Sequence, residues 1–317
     1  MKKKLSVFAA LCALFVLLTA SQEAVNCCKN SLTLCINLII PSLFPFFVLS
    51  GLLINSGFPE IMGGFFGKSA ERLFKVSGAG FSAFFIGICG GYPLGASCIV
   101  SMEEQGCISQ KEAQRLLCFC NNTGPAFLVG AVGSGVFHSA KAGILLYIIH
   151  IISALICGIL LSGKEEFHSS PLVPRAAVSF SAALSSAVRS AVMNMLNVCG
   201  FVLTFGVFTG LLECGGFLPS LCNFLSLKSG IDYGLIRAFT IGLFELGGGV
   251  GAMSGMALNA QNLALAAFMV GFGGLSVHFQ TLSLIADKDI KSGPHFAGRL
   301  LSAVLAAVFA YIAGGFL

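Results

Sequence analysis

Residues 119–130 read FCNNTGPAFLVG. They sit inside a charge-free apolar run of 22 residues, 116–137. A single bilayer-crossing helix takes roughly 20 apolar residues, yet the centre of this run holds Asn121, Asn122, Thr123, Gly124 and Pro125. Proline is tolerated where a helix starts, because the N–H it lacks would be unpaired there anyway. The run therefore reads as two half-helices, one stopping near Asn121 and the next starting near Gly124 and Pro125. A break inside hydrocarbon strands backbone polar groups, which is costly unless something satisfies them. The amino terminus of the second half carries free N–H groups and the positive end of the helix dipole. That is a place for an anion or a carbonyl-rich ligand. Asn121, Asn122 and Thr123 add side-chain donors and acceptors. The competing reading makes the two asparagines helix–helix glue.

Working outward, the composition demands a membrane. The 317 residues are 56% hydrophobic and 10% charged, with a mean hydropathy of +0.92. Soluble domains carry about 25% charged residues. One globule cannot hide this much apolar surface, so the lipid bilayer is the solvent. The net charge of +5 is spread along the chain, which argues against nucleic acid as a partner. Of the 13 cysteines, only Cys27-Cys28 and Cys118-x-Cys120 are close pairs. They read as small apolar packing residues rather than a metal site or a disulfide framework.

The apolar spans cover residues 5–20, 32–56, 116–137, 142–163, 191–212, 263–286 and 300–316. Residues 5–20 follow three lysines and read as an uncleaved anchor in preference to a signal peptide. The span 32–56 is expected to be kinked by Pro41 and Pro45. Two regions do not fit a simple crossing. Residues 78–102 carry CGGYPLGA at their middle, and residues 235–260 carry ELGGGVGA. Each side of these breaks holds about ten residues, about 15 Å of helix, half a bilayer. Both read as re-entrant hairpins whose tips must be buried in protein or face a wet cavity. Ser109-Gln110-Lys111-Glu112 is a capping box at the start of the helix leading into the interrupted span.

The two halves echo one another. SGLL at Ser50 pairs with TGLL at Thr209, and FFIGICGG ending at Gly91 pairs with FTIGLFEL ending at Leu246. FCNNTGPAF at Phe119 pairs with FGGLSVHFQ at Phe272, and AGILL at Ala142 with AGRLL at Ala297. The spacing stays between 153 and 159 residues. The expected fold class is thus all-α: a polytopic membrane protein with an inverted repeat, two re-entrant helical hairpins and two interrupted transmembrane helices. The expected organisation is an N-terminal anchor and short outer loop (1–31), a first repeat (32–163), a linker (164–190) and a second repeat (191–317). With the amino terminus inside, thirteen Lys and Arg fall on the cytoplasmic side and four outside, with Arg189 at a boundary. Arg299 counts among the thirteen.

The candidate substrate-binding residues follow from the breaks. They are Gly91, Tyr92 and Pro93 at the first tip, and Asn121, Asn122 and Thr123 at the first interruption. Glu245 and Gly247 mark the second tip, and Ser276, His278 and Gln280 the second interruption. Glycine lets backbone N–H groups approach a ligand closely. Glu245 is the sharpest of these, because a carboxylate deep in an apolar run is costly and tends to be functional. His138, His150, His168 and His295 read as incidental. No nucleophile elbow, HExxH or metal-ligand spacing is present, so no enzyme, catalytic residue, metal or cofactor is expected.

PSLFPFFVLSGLL (41–53), GGYPLGA (90–96), FCNNTGPAFLVGAVGSGVF (119–137) and GGLSVHFQ (273–280) resemble the sporulation integral membrane proteins of the YlbJ type. That type is grouped with the wider nucleoside-recognition (Gate) proteins, which are distantly similar to concentrative nucleoside transporters. The resemblance implies two hairpins and two unwound helices around a central substrate site. It also implies a multi-pass protein of the cell membrane, in a spore former the mother-cell-derived outer forespore membrane. The implied function is transport or facilitation of a small anionic solute, dipicolinic acid, during spore formation. The rival readings are a non-transporting scaffold or sensor needed for envelope or cortex maturation, and a nucleoside or metal ion transporter. The first tip lacks the acidic cluster expected of nucleoside carriers, which speaks against a nucleoside and against sodium coupling. A coupling cation or proton is left unassigned. The question of homo-oligomers or other sporulation membrane proteins as partners stays open.

Overall fold

Serine, glycine and proline decide where this chain stops and restarts its helices. The computed structural model describes residues 2–163 and 179–316, and these form helices and turns with no strand. The protein is an all-α polytopic membrane protein. Five helical stretches among the described residues are long and apolar enough to cross a bilayer: Ser21–Asn55, Ala140–Leu160, Phe180–Cys214, Ala260–Ile285 and Gly293–Gly314. Most of the expected 164–190 linker, including Lys164, His168 and Arg175, lies outside the described residues.

In the first half, α1 (Lys2–Thr19) leads directly into α2 (Ser21–Leu34), a π-helical turn (Cys35–Ile39) and α3 (Ile40–Asn55). Residues 21–31, expected to include a short outer loop, are therefore helical, and the span begins well before Leu32. The helix widens into its π turn just ahead of Pro41, whose ring crowds the preceding turn and whose nitrogen cannot donate. It continues through Pro45. α4 (Phe58–Ser69) and a second π turn (Ala70–Phe74) lie at 92° to α5 (Gly78–Gly90). The corner is made by Lys75 in a left-handed conformation and by Ser77, whose hydroxyl caps Gly80 N–H. α5 turns at Gly91, Tyr92 and Pro93 into α6 (Leu94–Glu104). α7 (Gln110–Leu116) follows, then a non-helical stretch, a π-helical segment (Ala126–Val136) and α8 (Ala140–Leu160).

The second half repeats that order. α9 (Phe180–Cys214) is a 35-residue helix, and α10 (Phe217–Ser229) is the counterpart of α4. α11 (Tyr233–Phe244) turns at Glu245 into α12 (Leu246–Gly251). α13 (Ala260–Phe272), α14 (Gly274–Ile285) and α15 (Gly293–Gly314) complete the chain. Two expectations are corrected here. The outgoing arm of the second hairpin is six residues rather than about ten, because Gly251 and the left-handed Gly255 let the chain turn away early. The second interruption is a single residue, Gly273, since Gly273 and Gly274 both take positive φ and the helix restarts at once.

Both hairpins close on glycine, and each receives the neighbouring break. A Cβ on Gly87 or on Gly95 would lie 2.0 Å from the same atom, the Cys120 carbonyl oxygen. That carbonyl enters between α5 and α6, and the backbones of Gly91 and Gly124 meet just beyond it. In the second half a Cβ on Gly249 would lie 2.3 Å from Gly242 Cα, and one on Gly274 would lie 2.7 Å from the Gly242 carbonyl. Beneath the first hairpin, Phe74 stacks on Phe81 and Phe119 at 4.9 and 5.2 Å. The capping box is half formed. Ser109 Oγ accepts from Glu112 N–H, but Glu112 does not reach back. Its buried carboxylate instead accepts from Ser77 N–H and Ser77 Oγ, both at 2.6 Å, tying α7 to the start of α5. Burial pushes the Glu112 carboxyl upward, against these Ser77 bonds.

Gly95→Val forces the first break off its hairpin. It is expected to lower stability by about 2–3 kcal/mol or more, the cost of overpacking a close contact. Gly64→Ala, inside α4 where a Cβ meets nothing within 4 Å, should cost nothing and raise stability slightly, by about 0.5–1 kcal/mol. Thermal unfolding of both variants in detergent checks this, and equal melting temperatures would refute the close-approach argument.

Candidate functional site

In the break between α7 and the π-helical segment, four carbonyls meet side-chain donors, three of them from elsewhere in the fold and one from the break itself. His295 Nδ1 meets Leu117 O at 3.3 Å, and the Cys157 thiol meets Cys118 O at 3.7 Å. Asn122 Nδ2 donates to Phe119 O at 2.7 Å, and Arg299 Nη1 donates to Asn121 O at 2.6 Å. Thr123 N–H donates to His150 Nε2 at 3.1 Å. The single-residue break at Gly273 strands two more carbonyls at the end of α13. Tyr92 Oη donates to Val270 O, Thr123 Oγ1 approaches the same oxygen at 3.4 Å, and Arg299 Nη2 donates to Gly271 O.

Arg299 joins the two breaks. It is 1% exposed and is the largest fully buried side chain. One guanidinium serves a carbonyl at each break, reaches Asn122 Oδ1 at 3.3 Å and Tyr92 Oη at 2.7 Å, and sits 5.3 Å from the Tyr92 ring centre. It forms no ion pair among the described residues, and its Nε has no hydrogen-bond partner. A positive charge against the carboxyl end of α13 also matches the helix dipole there. Arg299 is thus no cytoplasmic surface charge, which corrects the sidedness count. The sequence did hold a signal for it, since AGRLL places an arginine inside an apolar stretch. His150 and His295, taken as incidental, are buried members of the same network.

In front of this network lies a cavity of about 800 Å³, counting its open mouth. Both hairpin tips, the first break and the helix that follows the second break reach its wall. Gly90, Gly91 and Tyr92 come from the first tip, and Thr123, Gly124, Ala126 and Phe127 from the first break. Glu245, Leu246 and Gly247 come from the second tip, and Ser276, Val277 and Gln280 from α14. Leu43 and Phe46 of α3 with Val198 and Val202 of α9 supply apolar walls. Ser276 is 1% exposed and its Oγ has no partner among the described residues.

Of the residues singled out from sequence, Gly91, Tyr92, Thr123, Glu245, Gly247, Ser276 and Gln280 meet at this wall. Pro93, Asn121, Asn122 and His278 do not. Asn121 is fully buried and donates to Thr281 Oγ1 at 2.9 Å, while Asn122 serves its own backbone and Arg299. The amide nitrogens of both are thus bound within the protein, while Asn121 Oδ1 has no partner among the described residues. His278 Nδ1 lies 3.1 Å from His295 Nε2, with the Phe272 and Phe296 rings against it. Glu245 caps α12, accepting from Gly247 N–H at 2.9 Å and from Gly248 N–H. Its carboxylate therefore already occupies the positive end of that short helix.

Replacing Arg299 with leucine leaves several buried carbonyls unsatisfied, at about 1–3 kcal/mol each, so Arg299→Leu should be strongly destabilised or fail to fold. Arg299→Lys should restore only part of the loss, because an ammonium lacks the planar fork that spans two carbonyls. Melting temperatures of the three proteins in detergent check this. A fully stable Arg299→Leu would remove the bridge from the account.

Comparison with known proteins adds one relative. The sporulation integral membrane protein YlbJ of Bacillus subtilis (strain 168) is 31% identical over 329 aligned positions, covering 93% of this chain and 80% of that protein. No family model matches the chain, and no solved structure does. By identity and by coverage, this chain belongs to the YlbJ family of sporulation integral membrane proteins.

Proposed function

We propose that the protein is a membrane carrier or facilitator for a small planar anion, with dipicolinic acid as the candidate solute, acting during spore formation in the outer forespore membrane. The observation that carries this reading is the convergence of both hairpin tips, the first helix break and the first turns of the helix after the second break on one cavity. A purely structural set of breaks has no need to share a space. Three further features favour a planar anion. The walls from Phe46, Phe127, Val198 and Leu246 suit a flat ring. The first turns of the π-helical segment and of α14 face the cavity, presenting positive helix ends. The Arg299 guanidinium lies directly behind Tyr92, with neutral oxygens rather than a carboxylate as its partners among the described residues. The unpartnered Ser276 hydroxyl supplies a donor on the wall. In this reading the two halves lie inverted in the bilayer and move relative to one another around the shared site.

Uptake of labelled dipicolinate into proteoliposomes tests the proposal. Wild-type protein should accumulate label above empty vesicles. Ser276→Phe, which fills the cavity, should cut uptake about tenfold or more, equivalent to about 1.4 kcal/mol of lost binding. Gly64→Ala should match wild type. Vesicles carrying folded wild-type protein that take up no more than empty ones would end the carrier reading for this solute.

A further inference from the structure

A second cavity, about 490 Å³ with its mouth, lies between α3, α6 and α9. Unlike the central one it is lined with hydroxyls and amides: Ser50, Ser97, Ser101, Gln105, Ser190 and Asn194. Asn194 Nδ2 donates to Ser97 Oγ, and Gln105 Nε2 donates to Ser101 Oγ, each at 2.9 Å. Burial rises along the cleft. Gln105 and Ser190 are exposed, Ser101 and Asn194 are half-buried, and Ser50 is 6% exposed at the deep end. The open end sits beside Glu103 and Glu104, which pair with Lys288, so it faces the polar margin of the helices rather than their apolar girdle. A row of polar groups in this position is expensive in lipid and unremarkable in water.

Three elements pass from this cleft to the central cavity within one turn. α3 contributes Phe47 to the cleft and Phe46 to the cavity. α9 contributes Asn194 to the cleft and Val198 to the cavity, four residues or about 6 Å apart along a helix. The first hairpin contributes Leu94 to the cleft and Gly90 to the cavity. At this last place the partition is thin. Leu94 Cδ2 lies 2.1 Å from where a Cβ on Gly90 would stand, so the leucine side chain rests directly on the bare glycine backbone.

We propose that this cleft is the aqueous vestibule of the central cavity, reaching it from one face of the membrane, and that Leu94 lying over Gly90 is the barrier between the two. The proposal deepens the carrier reading, but its test needs no transport. A membrane-impermeant maleimide is applied to one face at a time, in intact cells and in inverted vesicles, and labelled sites are located by peptide mass spectrometry. Native Cys107, just beyond Gln105, reports the face, and native Cys89, on the central cavity wall, reports entry. Ser101→Cys and Ser50→Cys should label from the Cys107 face only, with Ser50→Cys the slower. Leu94→Ala should raise Cys89 labelling from that same face, and Leu94→Val should do so to a smaller degree if the alanine variant does not fold. An unlabelled Ser50→Cys in folded protein, labelling from the opposite face, or Cys89 labelling indifferent to residue 94 would each overturn the proposal. Loss of dipicolinate uptake by the wild type would instead count against the carrier reading and leave these labelling outcomes to decide the vestibule.

Discussion

Everything around the central cavity depends on one guanidinium. A helix broken in an apolar interior leaves carbonyls that water cannot reach, and each must find a donor inside the protein. Arg299 supplies donors to Asn121 O on one break and Gly271 O on the other, and to Tyr92 Oη on a hairpin tip. Its fork is rigid and permanently charged, so it fixes the spacing of the two breaks as well as satisfying them. Neutral oxygens surround it, and the cavity lies on the far side of Tyr92. The same residue thus holds both breaks and a hairpin tip in one frame behind the cavity.

Close approach of backbones is the second condition. Cys120 O sits where side chains on Gly87 and Gly95 would be, and Gly274 sits against Gly242. Each hairpin accepts its break only because these positions have no Cβ. The two halves use this device unequally. The first break is long and recruits His150, His295, Cys157 and Asn122 to serve its backbone. The second is one residue, and its α14 helix presents Ser276 and Gln280 directly to the cavity. At the cavity wall the unpartnered hydroxyl is Ser276 Oγ of the second half, while in the first half Asn121 Oδ1 and His150 Nδ1 lack partners among the described residues but lie away from that wall.

Much of the frame could be read from residues 119–130 and their echo at 272–280. Proline and glycine at the centre of an apolar run mean a broken helix wherever the run is placed, because the limits are local: a missing N–H and the permitted backbone angles. The hairpin tips at Gly91 and Glu245 were legible for the same reason. Less legible was how far each break would open. Two adjacent glycines at 273 and 274 turn the chain in one residue, whereas Asn-Asn-Thr-Gly keeps it out of a helix over four.

By itself the sequence determined that this is a helical membrane protein, where its helices break, and which short segments could gather at a centre. Those are consequences of composition and local stereochemistry. Only the tertiary structure decided which polar groups are left over once the breaks are satisfied. Asn121 and Asn122 face inward while Ser276 remains unpaired at the wall, and Arg299 leaves the surface for the core. The reason is that a donor's partner, unlike a helix's end, can come from a residue some 180 positions away, as Arg299 does for Asn121, and spacing along the chain carries no record of that meeting.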